Sequence, residues 1–414
     1  MIKFVDDQIH DLIIELFAYF KEYRVDYDFY DLDSMEDYGD EEILVDYESE
    51  VIIELPYTGE GYGLTLGECF EAIAEVQKAS IIDNYKYLSS EHVLVRVNSK
   101  NIERIQAYRN LSPYSFETTL SINEQLIQFD LVEGLTNFAL LITQMDNYDK
   151  HSPPIYYDDL FIEMRSESEV VIDKMIIDEL VQSYIYELST SYDIDLFTSP
   201  RVDYWGGEEC ELTAAEEKRR LRPLVRGRGI NDVLTIFNSA AQIDDPEFLI
   251  LSYTKVIEFV SQTVVKKELL DTVLNKLDSP RALSPDADYV LELEKTFEDL
   301  GSYKKDKEAI RLTIETCCDL VEIIKISSIP PHLKSFAKIT INSSKDEKKH
   351  ALNELAMSVS DTRNKIAHAK TNYRVKGNEC PSDQLEAFAK CLKVVSSQVI
   401  RWFFRQHENS RIIR

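Results

Sequence analysis

Glycine and proline are scarce in this chain, 12 of each in 414 residues, which excludes collagen-like tracts and argues against long disordered linkers. Cysteine is scarce as well. The six, Cys69, Cys210, Cys317, Cys318, Cys380 and Cys391, show no C-x-x-C spacing, so reduced, mostly buried thiols are expected, with no metal site and no cofactor. No unbroken apolar run reaches the roughly 18 residues of a membrane span, and Met1 to Asp7 lacks a basic stretch followed by an apolar core. No membrane association is expected, and the expected location is cytoplasmic. Positive charge is in deficit, with 46 Lys+Arg against 75 Asp+Glu, a net charge of −29 and a pI near 4.7. As a whole molecule the chain is therefore poorly suited to non-specific attraction to nucleic acid or anionic membrane.

What is present is enough apolar material for two ordinary cores, 44% of residues. The charge is unevenly spread. Residues 1–50 carry 17 acidic and three basic residues, a net of −14, whereas residues 301–414 carry 13 acidic and 21 basic ones, a net of +8. The two ends either meet different partners or screen one another.

Periodicity predicts an α+β protein: a mixed α/β domain over 1–195, a connector over 196–245 and an all-α bundle over 246–408. In the first domain an amphipathic helix is expected at 8–22 and further helices at 69–80 and 170–188. Strand patterns occur at 43–55, 92–97, 115–129 and 138–142, with connections too irregular for repeated βαβ units. The acidic, tyrosine-rich segment from Tyr23 to Tyr47 reads either as a surface that mimics nucleic acid or binds a partner, or as a solvated loop. The glycines between Gly59 and Gly67 come with Glu60 and Glu68 and no lysine, which suits a turn rather than a phosphate cradle.

The connector holds the densest basic segment, Lys218, Arg219, Arg220, Arg222, Arg226 and Arg228. It is a candidate phosphate-contacting strip, or else a strap pairing with the acidic domain. Beyond it, helices are expected at 246–277 with Asp245-Pro246 as the start signal, at 287–300, at 307–325, from 345 onward, and at 382–405. Their apolar stripes include Tyr253, Val256 and Val260, then Ile310 and Ile314, then Phe388, Leu392, Val395 and Trp402.

Near the end of the fourth of these helices stands Arg363-Asn364-Lys365-Ile366-Ala367-His368. Metal-free cleavage of RNA needs a group to take the 2′-OH proton, a group to protonate the leaving oxygen, and positive charge on the pentavalent phosphate. Histidine, with an unperturbed pKa of about 6.5, suits the proton transfers, and the arginine fork suits the phosphate oxygens. Asn364, one turn before His368, is placed to orient the imidazole. Residues five apart on a helix lie roughly 140° around its axis, so one chain does not put Arg363 and His368 on one face. The alternative is that both are solvated or capping side chains.

Arg363-Asn364-(x)3-His368, just before the last helix of a bundle, resembles the R-x4-6-H signature of the HEPN superfamily of helical ribonucleases. The helix opening at Phe248-Leu249-Ile250 resembles, more weakly, the first helix of Apea-like members. The resemblance covers about 245–408 and implies an RNA endonuclease of bacterial defence or abortive infection, with Arg363, Asn364 and His368 catalytic. It also implies a homodimer whose two motifs meet in one groove, and products ending in 2′,3′-cyclic phosphate. Lys365 and Lys370, with the arginines at 219, 220, 222, 226 and 228, are the expected RNA contacts. Where toxin members often carry Tyr two residues after the His, this chain has Lys370, and Tyr373 lies farther on. A trigger or regulatory protein is the expected partner of the acidic domain. The rival expectation is a non-catalytic HEPN-like dimerisation or interaction protein. Arg401 to His407 repeats the loose spacing, but Trp402 falls on the core side.

Overall fold

The structure is a computed structural model describing all residues except 1, 6, 30–42, 83–84, 91, 123–124, 167–171, 199–210, 302–305, 326–328, 369–373 and 414. The fold is α+β, an N-terminal α/β region followed by a helical one. Two compact units partition the chain as Met1–Ile177 with Leu196–Pro223, and Asp178–Asp195 with Leu224–Arg414. These divisions differ from the expected 1–195, 196–245 and 246–408. Residues 178–195 go with the helical unit, and the expected connector is shared between the two at Pro223.

The first unit is built on a seven-stranded antiparallel sheet. Its strands are β6 (Ser80–Ile82), β7 (Lys86–Leu88), β8 (His92–Ser99), β9 (Thr118–Ile122), β10 (Gln125–Glu133), β11 (Leu160–Ser166) and β12 (Leu196–Thr198). Along the sheet they run 6-7-8-11-10-9, and β12 pairs with the far end of β8, beyond the stretch that β7 uses. A smaller sheet joins β2 (Asp26–Asp28), β4 (Glu50–Glu54) and β5 (Gly61–Thr65), and β1 (Ile2–Phe4) lies parallel to β3 (Ile43–Val45). The glycines of β5 serve a close approach, since a Cβ on Gly61 would meet Ile52 at 2.7 Å. Helices α1 (Asp7–Tyr23), α2 (Leu66–Val76), α3 (Ile102–Leu111) and α4 (Asn137–Gln144) complete the unit. Helix α2 opens with a capping box in which Thr65 and Glu68 satisfy each other's backbone N–H groups.

Residues 138–142, expected as a strand, form the middle of α4 instead. A run of apolar residues buried on every side has no period to read, and Ala139, Leu140 and Leu141 are good helix formers.

The second unit is helical. Most of α5 (Lys174–Tyr192) belongs to it, followed by α6 (Ile230–Asn238), α7 (Pro246–Leu277), α8 (Ala287–Gly301), α9 (Asp306–Cys317), α10 (Leu320–Ile324), α11 (Lys345–Ala367) and α12 (Leu385–Arg405). Asp245 caps α7 as its sequence implies, its Oδ1 accepting from the N–H of Glu247 at 2.8 Å and of Phe248 at 3.2 Å. The expected helix 307–325 is broken in two. Asp319 caps a new start by accepting from Val321 N–H at 2.9 Å, and its own N–H donates to Gln398 at 2.7 Å. Val256, Ile257, Val260, Ile310, Ile314, Phe388, Leu392, Val395 and Val399 are buried in one core. Over its most apolar 18 residues α7 reaches a mean hydropathy of 1.3, half of that stretch lying inside the unit; Lys255 and Glu258 interrupt the apolar sequence.

One buried charge pair ties α5 to α12. Glu187 is fully buried, accepts a hydrogen bond from Ser191 and pairs with Arg401, whose guanidinium lies 5.3 Å over the Tyr186 ring. The second R-x-H spacing is thereby accounted for, as Arg401 serves this pair, Trp402 is buried and His407 is exposed. Glu187→Ala should destabilise the chain by about 3–5 kcal/mol, because it strands a guanidinium in a buried site, whereas the double variant Glu187→Leu with Arg401→Met should recover most of the loss. Urea unfolding followed by tryptophan fluorescence measures both. Equal losses in the single and double variants would refute the account.

Candidate active site

Helix α11 begins at a capping box in which Ser344 and Glu347 bond each other's backbone N–H groups at 3.2 and 2.7 Å, and its residues from Ser358 to Thr362 are buried. Asp361 has no exposed surface. Its carboxylate accepts from Lys376 Nζ at 2.9 Å and Asn378 Nδ2 at 3.0 Å, and Lys307 Nζ lies 4.0 Å away. Thr362 Oγ1 accepts the backbone N–H of Cys380 at 2.8 Å. The chain returning after the motif is thus fastened to the last buried turn of α11.

Arg363 is three-quarters buried and points to α7, its Nη2 lying 3.0 Å from Glu258 Oε1. Its Nη1 donates to Asn364 Oδ1 at 2.9 Å. The side chain of Asn364 therefore steadies the guanidinium, not the imidazole as its spacing suggested. Asn364 and His368 are tied from backbone to backbone, His368 N–H donating to Asn364 C=O at 3.0 Å. His368 caps the C-terminus of α11 with φ −112° and ψ 40°, so it has already left the helical path, and its side chain is exposed. Among the described residues its imidazole has no hydrogen-bond or ion-pair partner. Lys365 is part-buried, and Lys370 lies outside the described residues.

No family model, curated protein or solved structure matches this chain. The chemistry has to be judged from the residues.

Arg363 has five N–H donors, of which two are engaged by Glu258 and Asn364, leaving donors for a phosphate oxygen. His368 at an exposed helix end is open to a substrate and can carry a proton. The basic strip is divided between the two units. Arg219, Arg220 and Arg222 belong to the first unit, and Arg226 and Arg228 to the second. Arg219 faces Glu216 at 3.9 Å, Arg220 Nη1 donates to the carbonyls of Glu217 and Arg219, Arg222 is part-buried, and Arg226 lies 3.4 Å from Glu179. Arg228 is exposed and its backbone N–H reaches Glu408. Where the segment pairs with the N-terminal region, the sign is the reverse of the one expected: the carboxylate comes from the segment, Glu216 accepting from Arg104 at 2.8 Å, which holds Glu216 down to about 2.

Sequence reasoning missed Glu258 and Asp361, each an isolated acid in a helical pattern whose partner comes from a distant segment. It also missed a polar cluster in the first unit. His92 is buried between two carboxylates, Nδ1 3.2 Å from Glu75 and Nε2 3.0 Å from Glu163. Glu75 further accepts from Tyr87 OH and Asn137 Nδ2, both at 2.8 Å, and Arg165 lies 3.0 Å from Glu163. Ionised carboxylates only accept, so both ring nitrogens must donate and the ring carries a positive charge. Against the opposing effect of burial, the two carboxylates raise the His92 pKa; in turn His92 holds Glu75 down to about 2 and lowers Glu163. On the neighbouring strand, burial pushes Asp130 up to about 6.

The stabilisation from His92 is complete below its unfolded pKa of about 6.5 and is lost as pH rises through the higher folded value, while that from Glu75 and Glu163 is lost as pH falls below about 4.3. His92→Gln should lower the hydrogen-exchange protection of β8 at pH 6, with the difference narrowing as the pH rises through the raised pKa of His92. A difference that does not vary with pH would contradict a charged His92.

Proposed function

We propose that the chain is a metal-independent RNA endonuclease of HEPN type, acting in antiviral defence or abortive infection, with a composite active site between two copies. The defence role and the two-fold site come from the resemblance of Arg363-Asn364-(x)3-His368 to the family signature. The observation that carries the reading is that His368 is exposed and unpartnered among the described residues at the end of the helix bearing Arg363, whose guanidinium is held by Asn364 and Glu258 with donors to spare. In this reading Arg363 binds the scissile phosphate and stabilises the charge that builds on it. His368 takes the 2′-OH proton or delivers one to the leaving 5′ oxygen, and its counterpart on the second copy performs the complementary transfer. Attack of the 2′ oxygen on phosphorus with departure of the 5′ oxygen leaves a 2′,3′-cyclic phosphate and a 5′-OH.

The same Glu258 contact favours a second reading. An arginine clamped to a carboxylate of α7 can simply fasten α11 in place, as suits a non-catalytic dimerisation or interaction protein. Purified wild type, His368→Ala and Arg363→Ala incubated with RNA separate the two. The nuclease reading expects a loss of at least about 10²-fold in each variant, the scale of a lost acid–base group, and cyclic phosphate ends in the wild-type products. Equal decay in all three, or none in the wild type, would sink it. Asn364→Ala should give a smaller loss, with unchanged product ends.

A further inference from the structure

Helix α7 carries an open cleft along its first three turns. The cleft holds about 600 Å³, within the ordinary range for ligand pockets, and its lining includes Ile243 and Asp244 before the helix and Phe248, Leu251, Ser252 and Lys255 on it. The helical four stand at i, i+3, i+4 and i+7, so they share one face. Phe248 is 61% exposed, and among the described residues its ring has no aromatic partner. Lys255 is exposed as well, and among the described residues its ammonium has no hydrogen-bond or ion-pair partner.

The acids around the cleft are distributed unevenly. Asp245 turns its Oδ1 to the N–H groups of Glu247 and Phe248 as the helix cap, and Glu258 faces Arg363 at 3.0 Å. Glu247 is exposed, about 100° around the axis from Phe248. Asp244 lies before the start of the helix, and at 1.5 Å per residue Lys255 stands roughly 15 Å along the axis from Asp245. One end of the cleft is therefore anionic, the middle is apolar and aromatic, and the other end is cationic.

We propose that this cleft holds one nucleotide of the RNA substrate, with its base stacked on Phe248 and its phosphate on Lys255. The identity of the ligand rests on the nuclease reading. An exposed aromatic ring stacks on any base, and a lysine meets a phosphate as a point charge. The acids set the direction. Repelled by Asp244, the phosphate goes to Lys255, three residues and about 4.5 Å along the axis from the Glu258 that holds Arg363. The RNA then runs from Phe248 past Lys255 toward the guanidinium assigned to the scissile phosphate. A basic peptide would place its cation at Asp244 and leave Lys255 unused.

Titration of a short fluorescein-labelled single-stranded RNA with the full chain, followed by anisotropy, tests the assignment. Phe248→Ala is expected to weaken binding at least about fivefold. Phe248→Trp is expected to keep the wild-type affinity, and the added indole to be quenched by the RNA. Lys255→Ala is expected to lower the slope of log affinity against log salt by ~0.7, the share of one phosphate on a single strand. Both side chains are exposed, so circular dichroism should not change. In the cleavage assay KM should rise in both alanine variants while kcat holds. The proposal is overturned if the wild type binds no RNA, if both alanine variants bind with the wild-type affinity and salt slope, or if a basic peptide takes the cleft in place of RNA. Weakened binding in the variants without cleavage by the wild type would uphold the cleft and sink the nuclease reading alone. Cleavage with unchanged KM in both variants would do the reverse.

Discussion

A carboxylate with no exposed surface, Asp361, fixes the geometry of the motif region. Burying an unpaired charge would cost several kcal/mol, so the chain that follows the motif has to return and supply donors. Lys376 and Asn378 do so, and Thr362 next door takes the backbone N–H of Cys380. Two consecutive residues of α11 thereby determine where the segment after His368 comes back to the bundle, while the next, Arg363, is held by Glu258 on α7. The exposed His368 follows the anchored end of α11 and precedes a return held at Lys376, Asn378 and Cys380.

Much of the architecture was legible from residue pattern. The helices at 246–277 and 385–405 follow from stripes at three- and four-residue spacing, and the start of the former from Asp245-Pro246. The α+β class follows from the change of period between the two halves. The pattern failed where it carried no information. Residues 138–142 are apolar throughout, so strand and helix were indistinguishable by period, and Asp319 split a helix by capping a new start at Leu320. The motif itself was visible because its residues are neighbours in sequence. Its supports were not, since Glu258 is separated from Arg363 by over a hundred residues, and nothing local marks one glutamate among many as a partner. Asn364 shows the converse error. The i, i+4 spacing pointed at His368, but the adjacent guanidinium offers a better donor at 2.9 Å.

The two units solve the problem of buried charge in different ways. In the first, one imidazolium is shared by Glu75 and Glu163, so a single proton holds α2, β8 and β11 together. In the second, the cations are lysines and arginines, Arg401 on Glu187, Lys393 on Asp193 and Asp195, and Lys376 on Asp361.

Helix α5 has a consequence for how the polypeptide is made. It lies in the first half of the sequence, yet its Tyr186 hydroxyl donates to the carbonyl of Ser397, 211 positions later, and its Glu187 waits for Arg401. A ribosome therefore releases this segment about 200 residues before Ser397 and Arg401 exist, and the nascent chain must shield it over that interval. Cutting the chain at residue 195 would leave Arg401 and Lys393 without their anions. The helical unit can close only after α12 has been made.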